Sequence, residues 1–207
     1  MDKLKINVGC GPYDHKEGWI NVDIQNFKSV DVVMDVTKAW KFENVDFIFA
    51  EHFIEHLRLE QGVVFLYNAY NSLHSGGVMR LSTPNIEHVL QTHYKFEDRT
   101  HAGLLNSVFA VNRGFYGWGH NFLYSEHLLK YIMRVIGFED VKICEYGKSE
   151  FPELNGLEQH GKPSSYKGYP NFVIVEGAKS QQRPVAVLND EFMSTLHESF
   201  FKYNNAK

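Results

Sequence analysis

Residues 4–12 read Leu4-Lys5-Ile6-Asn7-Val8-Gly9-Cys10-Gly11-Pro12, an alternating apolar and polar run that stops at two glycines and a proline. That pattern predicts a strand ending in a tight turn. Trp19 to Ile24 alternates in the same way and carries Asp23 near its end. Val30 to Asp35 predicts a third short strand, closed again by an acid. Val45 to Ala50 is almost continuously apolar, as suits a parallel strand covered on both faces.

Further along, Leu59, Val63, Leu66, Tyr70 and Leu73 recur at three- and four-residue steps and predict a helix, with Gly76-Gly77 as its stop. Val78 to Thr83 predicts a fifth strand, ended by Pro84. Residues 85–124 show no clear period and are rich in His, Phe, Tyr, Trp and Gly. Ser125 then serves as an N-cap with Glu126 in the first turn, Leu128, Leu129, Ile132, Met133 and Ile136 form a stripe, and Gly137 ends that helix. Val141 to Tyr146 and Phe172 to Glu176 complete the strands, separated by a polar connection over residues 147–171. Alternating strands and helices imply an α/β fold with a mostly parallel sheet. Residues 1–180 form the expected domain, with residues 85–124 inserted on one side. Residues 181–207 form a polar tail in which Phe192, Leu196, Phe200 and Tyr203 mark one face of an amphipathic helix. That face offers a surface for the domain or for a second copy in a homodimer. The stretch from Pro12 to Gly18 is too short for a full helix, since a parallel crossover normally takes a dozen or more residues.

The 207 residues are enough for one sizeable core. A net charge of −4 supplies no basic field for nucleic acid or an anionic membrane. Two cysteines, Cys10 and Cys144, fit a reducing compartment. Met1 to Lys5 leads straight into a strand, without a signal-peptide core, and no apolar stretch is long enough to cross a membrane. The expected location is the cytoplasm.

In open α/β sheets ligands bind beyond the carboxyl ends of the strands. Those ends carry Gly9-Cys10-Gly11, Asp23-Ile24, Asp35-Val36, Glu51-His52 and Pro84-Asn85. Glycines let a ligand approach the backbone. A carboxylate after the second strand can accept both hydroxyls of a ribose, and one after the third can accept an adenine amine. Glycine, Asp23 and Asp35 in that order suit an unphosphorylated adenosine. The third glycine of the dinucleotide pattern is missing, and Asp23 lies about half as far along as the ~20 residues expected for a NAD-binding acid, so a nicotinamide oxidoreductase is the weaker reading.

Four segments taken together resemble a group of class I S-adenosylmethionine-dependent methyltransferases: Asn7 to Pro12, Gly18 to Asp23, Ala50 to Leu57 and Gly76 to Pro84. The likeness extends to Gly156-Leu157-Glu158-Gln159-His160 and Val173 to Glu176, and spans residues 3–179 in order. It implies a Rossmann-like seven-stranded sheet whose last strand is antiparallel, and S-adenosyl-L-methionine as cofactor. It implies that Gly9 and Gly11 line the methionine part, that Asp23 holds the ribose, and that Asp35 with Val36 flanks the adenine, with Cys10 and Ile24 among the cofactor-binding residues. Ala50, Glu51 and His52 fall in the motif after the fourth strand.

His52 is the first candidate for a base that takes the acceptor's proton. Asn85, His88, Tyr94, Arg113, Tyr116 and His120 are candidates to line an acceptor pocket, and a surface loop over packed aromatics is the alternative. His52 and His56 share a helix face, but Phe53 stands where the zincin pattern needs glutamate, so no metal is expected and His56 is given a structural place in the core. Cys10 reads as a small turn residue. The acceptor itself is unidentified, of small-molecule or glycan type, with nucleic acid disfavoured. A noncatalytic protein that binds S-adenosylmethionine, as partner subunit or sensor, is the rival reading.

Overall fold

The computed structural model describes residues 3–180 and residue 194. The expected tail helix lies outside the described residues. Strands β1 (Lys5–Val8), β2 (Ile20–Asp23), β3 (Val32–Val33) and β4 (Val45–Glu51) come first, and helix α1 (Leu59–Ser72) comes next. Strand β5 (Leu73–Pro84) leads to helices α2 (Ile86–His93), α3 (His101–Tyr116) and α4 (Glu126–Ile136). Strand β6 (Phe138–Ile143), a small hairpin of β7 (Ser165–Tyr166) and β8 (Tyr169–Pro170), and β9 (Phe172–Lys179) follow.

Seven strands form one sheet in the order β3-β2-β1-β4-β5-β9-β6. All pairings from β3 to β5 are parallel, and β9 runs antiparallel between β5 and β6. This is the expected Rossmann-like architecture. Strand order reverses between β1 and β4, which makes their carboxyl ends the switch point, where open α/β sheets bind their ligands.

Right-handed crossovers explain the two faces. The path from β1 to β3 steps outward, and the path from β3 through β4 to β5 steps back, so their connections lie on opposite sides of the sheet. On the returning side α1 and α4 bury Val63, Phe65, Leu66, Ile132 and Met133 against Ile6, Val8, Ile48 and Ala50. Trp40, in the β3–β4 connection, sits 6.1 Å from the Phe65 ring on that side. Among the described residues the outward side has no α-helix, because the connections after β1 and β2 are short turns. There Trp19, Phe47, Phe49 and Val78 are closed over by Phe151, Leu154 and Leu157 of the connection between β6 and β9.

That second face also buries charge. Arg80 of β5 is fully buried, with Nε donating to Glu158 and one amino group to Glu176, each at 2.6 Å. Its guanidinium also donates to the carbonyls of Glu145 and Lys148. Nearer β1, Asn7 donates to the Asp14 carbonyl and to Asn21, and Lys16 pairs with Asp14 at 2.7 Å. Burial lifts the Asp14 carboxyl above its usual range, against the pull of Lys16. These bonds hold the β1–β2 turn in the shape that a helix would otherwise impose.

Several expected boundaries move. Gly76 and Gly77 do not stop α1, which ends at Ser72; they lie inside β5, beside a register shift against β4. A Cβ on Gly77 would stand 2.6 Å from the Val45 carbonyl oxygen, so this glycine permits a close backbone approach. β6 starts directly after Gly137, three residues earlier than expected, with a bulge between Glu139 and Lys142. Residues 85–124 are not an aperiodic loop but carry α2 and α3. Ser125 and Gly137 cap α4 as expected: Ser125 Oγ accepts from Leu128 N, and Gly137 takes φ 123°.

Candidate functional site

The register places the strand ends at one height. Val8 pairs with Val22 on one side and Ala50 on the other, and Asp23 pairs with Val33. Gly9, Asp23 and Glu51 therefore lie in one row at the switch point. Gly9 and Gly11 both take positive φ, 71° and 53°, where a side chain is strained. Their bare α-carbons serve different ends. A Cβ on Gly9 would stand 2.2 Å from the Phe53 ring, whereas one on Gly11 meets nothing within 4 Å. Gly9 makes room for Phe53, and Gly11 faces open space.

Asp23 binds the turn from across the row. Its Oδ2 accepts from Gly11 N at 3.0 Å and its Oδ1 from Gln25 N at 2.9 Å. Each oxygen keeps a second lone-pair direction. Ile24 beside it is 64% exposed, an apolar surface at the strand end. Asp35 Oδ1 accepts from both the backbone and the hydroxyl of Thr37, bonds that hold its carboxyl below the usual range. Asp35 Oδ2 makes no hydrogen bond among the described residues. Val36 is buried, and its carbonyl accepts from Trp40 and Asn68, fixing the backbone after β3.

Cys10 is buried, and burial together with Asp23 pushes its thiol up to about 11, so it stays protonated at neutral pH. Ala50 is fully buried beneath the row. Glu51 is buried as well, and its carboxylate accepts from the backbone N–H groups of Gln159 and His160. Sequence reasoning placed Glu51 with the ligand-facing residues but missed that it anchors the connection closing the second face. Glu158, one residue before that pair, does the same through Arg80.

His52 has φ 48°, a left-handed backbone uncommon for a residue with a side chain. Its N–H donates to the Ser82 carbonyl, and its ring lies between His160 and Phe172 at centroid distances of 5.2 and 5.1 Å. Nδ1 stands 3.3 Å from Glu55 Oε1, while Nε2 is buried without a hydrogen-bond partner among the described residues.

The six acceptor candidates do not share one cleft. Asn85 is the N-cap of α2, accepting from Glu87 N and donating to the Pro170 carbonyl. His88 Nδ1 bonds the Tyr169 carbonyl at 2.9 Å. Tyr94 lines a cleft of about 510 Å³ beside the β7–β8 hairpin, with Phe96 and Asp98. Arg113 lines another of about 370 Å³ between α2 and α3, with His93 and Ser107. Tyr116 projects into solvent. His120 is buried against His56, and His56 is exposed rather than set in the core.

No helix among the described residues is long and apolar enough to cross a membrane. No family model matches the chain, and no curated protein matches its sequence. Solved structures do match its fold. An S-adenosylmethionine-dependent methyltransferase from Archaeoglobus fulgidus shares 21% identity over 86% of each chain, with a TM-score of 0.55. A second S-adenosylmethionine-dependent methyltransferase, a possible histamine N-methyltransferase from Thermotoga maritima, shares 17% identity over 87% of this chain and 83% of its own, with a TM-score of 0.54. At these identities the likeness is one of architecture: the chain shares the fold of S-adenosylmethionine-dependent methyltransferases.

Proposed function

We propose that the protein binds S-adenosylmethionine at the carboxyl ends of β1 to β4 and transfers its methyl group to a small-molecule or glycan-type acceptor. The observation that carries this reading is Asp23 bonded to the Gly11 turn, with Asp35 one strand further out. The residues fit an unphosphorylated adenosine. Gly11 leaves its α-carbon open to a ligand, Asp23 retains lone pairs for two ribose hydroxyls, Ile24 offers an apolar face to the base, and Asp35 Oδ2 is free for an amine. No third glycine or helix N-terminus is present at the β1 turn to receive a pyrophosphate.

When bound, the cofactor supplies an electrophilic methyl carbon on a sulfonium, so the protein's task is mainly alignment. Asp23 and the Gly11 turn set the nucleoside's position. Phe53 packs against Gly9 and the Phe65 ring at the turn after β1. His52 stands at the end of β4 and is the first residue to test as acceptor of a proton from the incoming group.

Titration calorimetry with S-adenosylhomocysteine and with NAD tests the cofactor. Saturable binding of the first alone is expected; binding of NAD alone overturns the reading. His52→Ala should keep S-adenosylhomocysteine affinity within about twofold and slow methyl transfer by about 10²-fold, the usual contribution of a positioned base. Unchanged turnover over an acceptor panel removes His52 from that role. Retained cofactor binding with no turnover on any acceptor favours the noncatalytic reading.

A further inference from the structure

We propose that Glu55, His56 and His120 form a binding site for a divalent transition-metal ion. One ligand-capable atom from each residue lies within 4.8 Å of the others. Three features point to a cation there.

Both imidazoles are held in the form that a metal requires. His56 Nδ1 stands 3.3 Å from the Gly119 carbonyl, and His120 Nδ1 stands 2.9 Å from the Gly114 carbonyl. A carbonyl oxygen can only accept, so Nδ1 is the donor in each bond, and in the neutral ring Nε2 keeps its lone pair. A backbone carbonyl on the far ring nitrogen is the usual outer support of a metal-bound histidine.

The third group is a fully buried carboxylate. Glu55 Oε2 accepts from the Thr83 hydroxyl at 2.9 Å, but Oε1 has no hydrogen bond, although His52 Nδ1 lies 3.3 Å away. Burying a carboxylate oxygen that accepts no hydrogen bond is costly. A lone pair of a neutral imidazole cannot donate to a carboxylate, whereas a cation within reach of all three residues satisfies every acceptor at once.

The backbone fixes the group. Asn121 N and Phe122 N both donate to the Glu55 carbonyl, and the Asn121 side-chain amide donates to the His56 carbonyl. The segment carrying His120 is thereby clamped onto the turn carrying Glu55 and His56. His120 lies 64 positions beyond His56, so the pattern is invisible in the sequence, where His56 pairs with His52. Two nitrogens and one oxygen suit zinc, cobalt, manganese or ferrous iron better than magnesium or calcium, which prefer all-oxygen shells. His56 is exposed, so the remaining positions open to solvent. The ion site stands on its own geometry; that an oxygen of the acceptor fills an open position rests on the methyl-transfer reading.

The test is a cobalt(II) titration of chelator-treated full-length protein, monitored by visible absorption, with S-adenosylhomocysteine affinity measured on the same samples. One cobalt per chain is expected, with absorption bands of nitrogen and oxygen ligation. His56→Gln, at an exposed position, and His120→Gln should each weaken cobalt binding at least tenfold, while His15→Ala on the opposite turn leaves it unchanged. Thermal melts identify any variant that fails to fold, and His56→Gln suffices if His120→Gln does. Absent bands, or bands insensitive to His56→Gln in folded protein, overturn the site. Intact S-adenosylhomocysteine binding in that case leaves the proposed function standing, and cobalt binding without S-adenosylhomocysteine binding has the opposite meaning.

Discussion

Asp23→Ala is expected to weaken S-adenosylhomocysteine binding by more than a hundredfold. The carboxylate is proposed to receive two ribose hydroxyls, and hydrogen bonds to a charged group contribute about 1.5–3 kcal/mol each. Losing both removes about 3 kcal/mol or more, and every 1.4 kcal/mol is tenfold in affinity. A second loss adds to it, because Gly11 N gives up its partner and the turn is no longer held toward β2. Asp23→Asn separates the two effects. The amide keeps an oxygen for Gly11 but loses the charge, so its affinity should fall between those of the wild type and the alanine variant. Calorimetry on both variants, with thermal melts to verify folding, checks this. Alanine-variant affinity within threefold of the wild type would remove Asp23 from the ribose and with it the main support for the adenosine site.

Arg80→Met should cost about 3–5 kcal/mol of folding stability, the range seen when one partner of a buried ion pair is removed. The large value comes from the groups left behind. Glu158 and Glu176 would both stay buried with no cation between them. Glu176 Oε2 already accepts no hydrogen bond among the described residues, so the cluster has little left to compensate. Urea unfolding monitored by circular dichroism measures the change. The triple variant Arg80→Met, Glu158→Gln, Glu176→Gln should recover part of the loss, since it also removes the stranded charges. A loss below 1 kcal/mol in the single variant would mean that the network is not as dry as the geometry shows.

The parallel half of the fold was legible because its strands announce themselves twice, by their alternation and by the residues that end them. β1, β2 and β4 fall where Gly9, Asp23 and Glu51 close them. α4 was legible for the same reason, with Ser125 and Gly137 marking both ends. α3 was not, because its pattern is inverted. Its buried positions are Gly103, Ser107 and Gly114, while Leu105, Val108 and Phe109 face solvent. A search for a large apolar stripe passes over a helix that packs through small residues. An added Cβ at Gly114 would stand 2.8 Å from Val89 of α2, so that glycine lets the two helices approach closely. Two capping signals were present and unread: Asn85 accepting from Glu87 N, and Thr100 accepting from Gly103 N.

At the site, chemistry that depends on chain-adjacent residues was readable, and chemistry that depends on distant partners was not. Asp23 and Asp35 could be placed because strand ends are local. The burial of Arg80 has no local signal, since nothing within Val78 to Thr83 says that residues 145–158 will cover that face. Glu51 looked ligand-facing for the same reason, and its bonds to Gln159 and His160 span more than a hundred residues.

The second face of the sheet is sealed by one run of chain between β6 and β9 instead of by separate helices. Three anchors fasten it: Glu51 to Gln159 and His160, Arg80 to Glu158, and Lys16 to the Leu157 carbonyl. Because all three sit within four consecutive residues, a single inserted residue there would break register with the β1–β2 turn, β4 and β5 together. Length variation should therefore be absorbed in the exposed hairpin at residues 165–170, while residues 157–160 tolerate none.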